Sequence, residues 1–296
     1  MQISRRELNF LGIGSQRCAS TWLYYALKKS PKINLPRKEL NFWSGFVTRE
    51  GVNEYFEQFR QNDCEQAIIC GEISPTYSAM YPDEVALLKS LLPDLKIIFI
   101  IRNPVDRLIS SITRRGTYYK VDKGVSTNKN IFHLLRSIDT GLSIRLTDYA
   151  RAYKIWSDYY GKDNIFIEKF DRIQSDSQSV LKEIFEFLGI EPVIEEIPPQ
   201  NKSKEEIKAE IPELLRWYTA LTWLPKVKKM NKEIPLDLSD WIDDLQIIFA
   251  QNKYNAKYWV IFGLHQIYFR IPYHAIYPLF KFFQIKLKIA KSYRQL

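Results

Sequence analysis

Cysteine is scarce in this chain. Only Cys18, Cys64 and Cys70 occur among 296 residues, and no two of them form a CxxC pair. An odd, scattered set offers neither a disulfide framework nor a zinc site, and it fits a reducing compartment. Long apolar runs are missing as well. The opening MQISRRELNFLGIG carries two arginines but no apolar stretch of signal-peptide length. No uninterrupted apolar run approaches the length of a membrane-spanning helix. These absences predict a cytoplasmic chain, or one held at the inner membrane surface. Acidic residues stop at Asp244, beyond which stand eight bases, 13 aromatic residues and no carboxylate. The net charge of +9 therefore belongs mainly to the tail. A nucleic-acid reader more often spreads its bases over the folded body, so no nucleic-acid partner is expected.

What remains is globular in composition, 46% hydrophobic and 26% charged, and long enough to bury a sizeable core. Strand and helix patterns alternate through the first 190 residues. Asn9–Gly14, residues 67–73 (AIICGEI), Leu95–Ile101 and Ile165–Phe170 read as buried strands. Trp22, Leu23, Ala26 and Leu27 share one helical face; Asp83–Leu92 and Asp176–Leu188 are two further helices, the second ended by Gly189. Near-continuous apolar strands alternating with helices predict an α/β fold with a central parallel sheet flanked by helices. Helix dominates after residue 203. A domain over 1–244 and a helical extension over 245–296 are expected. Residues 116–130 are polar and long for an α/β connection, which suggests a mobile active-site loop. Residues 191–203 hold three prolines and punctuate the end of the sheet region.

Two segments carry the chemistry. In Gly12-Ile-Gly-Ser-Gln-Arg-Cys-Ala-Ser-Thr-Trp22, a turn joins a strand to a helix N-terminus, where backbone N–H groups and the helix dipole favour phosphate. Arg17 adds a fork of donors, and Ser20 and Thr21 add hydroxyls. A helix on an ordinary turn, capped by Ser20 or Thr21, is the plainer reading. The Walker pattern GxxxxGK[ST] is absent, which weighs against a nucleotide hydrolase. In Ile97–Ser111, a buried strand ends in Arg102, Pro104 opens a helix, and Ser110 lies two turns along it. Arg102 thus stands at a strand's carboxyl end, where open α/β sheets bind ligands. The alternative is a surface arginine paired with Asp106.

Taken together, these segments resemble the PAPS-dependent sulfotransferase family (PAPS is 3′-phosphoadenosine 5′-phosphosulfate). Arg17–Trp22 is similar to its 5′-phosphosulfate loop, and Arg102 with Ser110 to its 3′-phosphate motif. Glu72-Ile-Ser-Pro75, Tyr149–Trp156, Phe166–Ile173 and Glu186–Gly189 resemble later family segments in the family's order. The resemblance covers residues 8–205. It implies a P-loop-like α/β domain, PAPS as cofactor with 3′,5′-ADP as product, and no metal. It also implies contacts to the cofactor from Arg17, Cys18, Ala19, Ser20, Thr21, Trp22, Arg102 and Ser110. Pro36–Trp43 resembles the K-E-x-x-F-F stretch of the carbohydrate- and tyrosine-sulfating branches, which makes Glu39 the expected base and Arg17 the group that stabilises the leaving oxygen. A surface Glu39 paired with Lys38 or Arg37 is the plainer alternative.

Cys18-Ala19 replaces the family's usual Ser-Gly, putting a Cβ where backbone normally approaches phosphate bare. Ile73 stands where some carbohydrate-sulfating members carry a lysine. The expected acceptor is a hydroxyl or amine of a carbohydrate, a lipid-linked molecule or a small molecule. A P-loop kinase and a non-catalytic, membrane-associated nucleotide-binding scaffold stay open as alternatives. The aromatic, basic tail has two readings: an interfacial membrane helix, or helices packed on the domain or on a second subunit of a homo-oligomer.

Overall fold

The computed structural model describes residues 8–61, 67–114, 131–192 and 212–271, with 273, 275, 284, 286 and 287. The loop expected over 116–130, residues 193–203 of the proline-bearing segment and residues 276–280 of the tail lie outside the described residues. In chain order the elements are β1 (Phe10–Gly14), α1 (Ser20–Lys28), β2 (Ile33–Asn34), α2 (Arg49–Gln61), β3 (Ile69–Ile73), α3 (Pro82–Leu91), β4 (Lys96–Ile101) and α4 (Pro104–Arg114). There follow α5 (Ile131–Ile138), α6 (Gly141–Thr147), α7 (Tyr149–Tyr160), β5 (Ile165–Lys169), α8 (Phe170–Ser175) and α9 (Ser177–Leu188). The last are α10 (Glu213–Glu233), α11 (Ser239–Gln251) and α12 (Ala256–His265). The expected α/β class holds: the five strands form one parallel sheet in the order β2-β3-β1-β4-β5.

By their internal contacts the residues fall into two compact units. The first runs through Arg102 and resumes at Ala152; the second takes Asn103–Arg151 and resumes at Lys208. The first unit contains the whole sheet. β1 is central, between β3 and β4, and every one of its residues is buried. One core cluster takes in Phe10, Leu27, Ile98, Ile100, Val180 and Phe185, which joins β1 and β4 to α1 and α9. Local signals set the helix ends. The Asp176 carboxylate accepts the Ser179 N–H at 3.1 Å to open α9, and Gly189 closes it at φ 80°. Ahead of α3, the Tyr81 N–H donates to the Glu84 carboxylate at 3.0 Å and Pro82 takes the first helical position.

The second unit is helical. At the start of α4 the Asn103 side-chain oxygen accepts the Val105 N–H at 3.0 Å. Arg107, with no exposed surface, donates to the Ser143 carbonyl and hydroxyl at 3.3 and 3.0 Å. Trp217 on α10 is surrounded by Phe249, Tyr258, Trp259 and Phe262, with ring centroids 5.1 to 6.3 Å away. These partners fall in the aromatic tail, so its first half packs one face on α10. No helix among the described residues is long and apolar enough to cross a membrane. At the centre of this unit the buried Asp139 carboxylate accepts the Tyr218 hydroxyl and meets His265 Nε2 at 2.9 Å. Burial, and then the Asp139 charge, push the Tyr218 phenol well above its ordinary range.

Asp139→Ala would remove the buried acceptor shared by the Tyr218 hydroxyl and the His265 ring, and leave Arg270, 3.9 Å from it, without that carboxylate. We expect a loss of about 2–4 kcal/mol, read as a lower urea midpoint at unchanged slope. A midpoint within error of the parent would show that this network contributes nothing net.

Candidate active site

The loop between β1 and α1 is shaped by residues in left-handed conformations. Gly14 has φ 120°, and a Cβ there would stand 2.4 Å from the Pro75 carbonyl oxygen, so only glycine fits. Arg17 and Ala19 follow at φ 73° and 57°. Ala19 occupies the N-cap of α1 with no side-chain cap bond, so the plainer alternative, a helix capped by Ser20 or Thr21, does not hold. The left-handed turn at Ala19 starts the helix at Ser20, which puts both hydroxyls inside the first turn. An N-terminus with no side-chain cap keeps N–H donors and the positive end of the helix dipole for a ligand.

The expected cofactor residues divide by direction. Arg17, Ala19, Ser20 and Thr21 are half-buried at the surface. Cys18 and Trp22 turn into the core and are nearly or wholly buried. Their side chains therefore cannot reach a ligand, and the Cys18 N–H already donates to the Ser15 carbonyl at 3.2 Å. Cys18 takes the core position next to the bend, which explains a small apolar-like residue there.

Arg102 follows β4 directly and reaches this loop. Its Nη1 donates to the Arg17 carbonyl at 3.4 Å, and its guanidinium carbon lies 4.4 Å from the centre of the Phe170 ring. Both expected arginines thus belong to one corner of the first unit, over the carboxyl ends of β1 and β4. Phe170, the shelf beneath Arg102, was not singled out in the sequence, although it directly follows the legible β5. Ser110 is half-buried on α4 in the second unit.

Glu39 is exposed, at φ 64°, and its carboxylate pairs with Lys38. Its segment is tied to the end of β3. The Glu39 N–H donates to the Ile73 carbonyl at 3.0 Å, and the Asn41 N–H to the Ser74 hydroxyl oxygen at 3.0 Å. Asn41 is itself left-handed at φ 54°, and its amide donates to the Glu39 carbonyl at 2.9 Å. The Ser74 N–H in turn donates to the Gly12 carbonyl at 2.9 Å, so the Glu39 segment and the β1 loop rise from neighbouring strands.

Beneath this segment lies a buried carboxylate whose role the sequence does not reveal. Glu72, 1% exposed, accepts the Tyr55 hydroxyl at 2.6 Å, the Tyr77 hydroxyl at 2.8 Å and the Ser74 hydroxyl. The Trp43 N–H closes the circuit on the Tyr77 oxygen at 3.2 Å. Burial pushes the Glu72 carboxyl above the usual carboxylate range, outweighing the three donors that favour its charged form. The E-x-S-P pattern was the available signal, but Tyr55 is supplied by a helix that no motif marks.

A carboxyl with a raised folded pKa contributes stability below its unfolded value and loses it as pH climbs through the folded value. Wild type should therefore lose stability relative to Glu72→Gln as pH rises from about 4.3, the ordinary glutamate value. Denaturant titrations of both proteins across that range would show the slope; a constant offset would mean that Glu72 titrates as it does in water. At Ala19, the left-handed backbone costs a Cβ-bearing residue about 1–2 kcal/mol, so Ala19→Gly should stabilise by about 0.5–1 kcal/mol once glycine's unfolded entropy is subtracted. A lower melting temperature in that variant would contradict this account.

The chain matches the Sulfotransferase family over residues 44–195, just over half its length. The β1 loop and Glu39 precede that range. It is 28% identical over 129 residues, 43% of this chain and 27% of the relative, to Membrane-associated sulfotransferase kil1 of Dictyostelium discoideum. It is 26% identical over 203 residues, 62% of this chain and 22% of the relative, to Bifunctional heparan sulfate N-deacetylase/N-sulfotransferase 2 of Mus musculus. The chain thus spans about a quarter of the length of the curated relatives it matches. Among solved structures, the sulfotransferase of Alicyclobacillus acidocaldarius superposes with a TM-score of 0.60 at 23% identity, covering 81% of this chain and 99% of that one. The superposition carries the fold, and the match over 44–195 carries the membership: this chain belongs to the sulfotransferase family.

Proposed function

We propose that this chain transfers a sulfuryl group from PAPS to a hydroxyl or amine by in-line displacement, on a carbohydrate, lipid-linked or small-molecule acceptor. The observation that carries the reading is the meeting of Arg102 with the backbone of Arg17, beside the N-terminus of α1. Arg102 held against Phe170, Arg17 on the adjoining loop and a set of backbone donors beside one helix N-terminus suit a ligand with anionic groups at two ends. The heparan sulfate N-sulfotransferase among the relatives supports a carbohydrate acceptor for the reading.

When bound, PAPS supplies the electrophilic sulfur and departs as 3′,5′-ADP. Arg17, the loop N–H groups and the Ser20 and Thr21 hydroxyls would hold its phosphosulfate end and stabilise the charge that grows on the leaving oxygen. Arg102 would take the 3′-phosphate; Ser110 is assigned to the same phosphate by sequence resemblance alone. Glu39 would accept the proton of the attacking hydroxyl or amine, exchanging its present partner Lys38 for the acceptor. Cys18 and Trp22 serve the site through the backbone they anchor.

Calorimetry with 3′,5′-ADP, 5′-AMP and ATP tests the cofactor assignment. Binding should favour 3′,5′-ADP, need no magnesium, and weaken about 10–100-fold in Arg102→Ala, the loss of one charge-assisted contact. A preference for ATP with magnesium, or indifference to the 3′-phosphate, would overturn the proposal in favour of a kinase.

A further inference from the structure

The helical run from Ala256 to Ile271 has two faces of different character. Its inner face is committed: Phe262 packs on Trp217 and Tyr218, and His265 meets Asp139 and stacks near Phe269. The outer face is apolar and in water. Val260 is 62% exposed, Leu264 40%, Ile267 62%, Tyr268 79% and Ile271 62%, with Trp259 at 41% beside them. Steps of four, three, one and three residues trace one side of a helix, continued through the wide turn at Gln266–Arg270. A scattered exposed leucine needs no explanation, but a continuous stripe on a helix already packed by its other face does.

We infer that this stripe is a docking surface for an anionic lipid bilayer, along which α12 and the turn after it lie flat. Charge selects the occupant. Lys253 and Lys257 are exposed at the head of the stripe, and no acidic residue occurs in the chain after Asp244. Lys257 stands three residues before Val260 and seven before Leu264, on the same side of the helix. Two exposed lysines at the head of the stripe complement a lipid surface of negative charge, while the Glu213 carboxylate of α10 acts on Tyr258, which packs on Trp217. Tyr254, Trp259 and Tyr268 add exposed amphipathic rings of the kind that settle at headgroup level. A second copy of this chain fits less well. It would oppose lysine to lysine, and six side chains fall short of the roughly 20–30 residues a side that a stable dimer uses.

The test is co-sedimentation of the full chain with phosphatidylcholine vesicles, with and without phosphatidylglycerol. Binding should require the anionic lipid and fall at least tenfold in Val260→Glu/Ile267→Glu, and Lys253→Gln/Lys257→Gln should lose the preference for anionic lipid. Because Val260 and Ile267 are exposed, the paired glutamates should leave the circular dichroism and 3′,5′-ADP binding unchanged. Val260→Ser/Ile267→Ser provides a milder version should the charged pair misfold. No partition to either vesicle, partition unaffected by the stripe substitutions, or a dimer in light scattering that those substitutions dissolve would each overturn the inference. None of these outcomes bears on the cofactor.

Discussion

A carboxylate with almost no contact with water sits at the end of β3, and much of the candidate site is arranged around it. Glu72 can be buried because Tyr55, Tyr77 and Ser74 turn three hydroxyls onto it, the first from α2 and the other two from the turn after β3. Tyr55 brings α2, Tyr77 brings the turn after β3 and, through its oxygen, Trp43, while Ser74 brings Asn41. The segment that carries Glu39 is thereby held from below at two points, with further ties from the Glu39 N–H to the Ile73 carbonyl and from the Thr76 hydroxyl to the Asn41 side-chain oxygen. A buried charge is costly unless its donors are all in place. The carboxylate therefore couples the position of a surface glutamate to the packing of a helix distant in sequence.

The same economy of backbone governs the β1 loop. Left-handed residues at Arg17 and Ala19 leave Cys18 and Trp22 facing the core and their neighbours facing out, so one short segment both closes the hydrophobic cluster and presents donors. Arg102 adds its charge from the next strand over, held against the Phe170 ring rather than ranging through solvent. What makes this corner chemically distinctive is where the chain bends, more than which side chains it carries.

This distinction explains what could be read in advance. β1, β3, β4 and β5 were legible within a residue or two because buried parallel strands are continuous apolar runs, and Arg102 was legible because it ends one of them. Gly189 and Asp176 announced the ends of α9 through cap chemistry that is local by nature. β2 was not legible, since a two-residue strand has no period to detect. The left-handed Ala19 contradicts the preference of its residue type and is imposed by the surrounding turn. The circuits around Glu72 and Asp139 join residues far apart in sequence, and a single chain offers no periodicity that would pair His265 with Asp139.

The strand order also sets the tempo at which the molecule can form. β1 pairs with β3 through Phe10 and Gly71 and with β4 through Phe10 and Lys96, while β4 must wait for Ile165 to meet Ile97. None of these ladders can begin as a hairpin, so each requires closing a long loop before any strand is repaid with hydrogen bonds. During synthesis the edge of β4 stays open until β5 has left the ribosome. That order of events predicts slow refolding and a window in which an apolar, unpaired strand is exposed to other chains, visible as concentration-dependent loss of refolding yield.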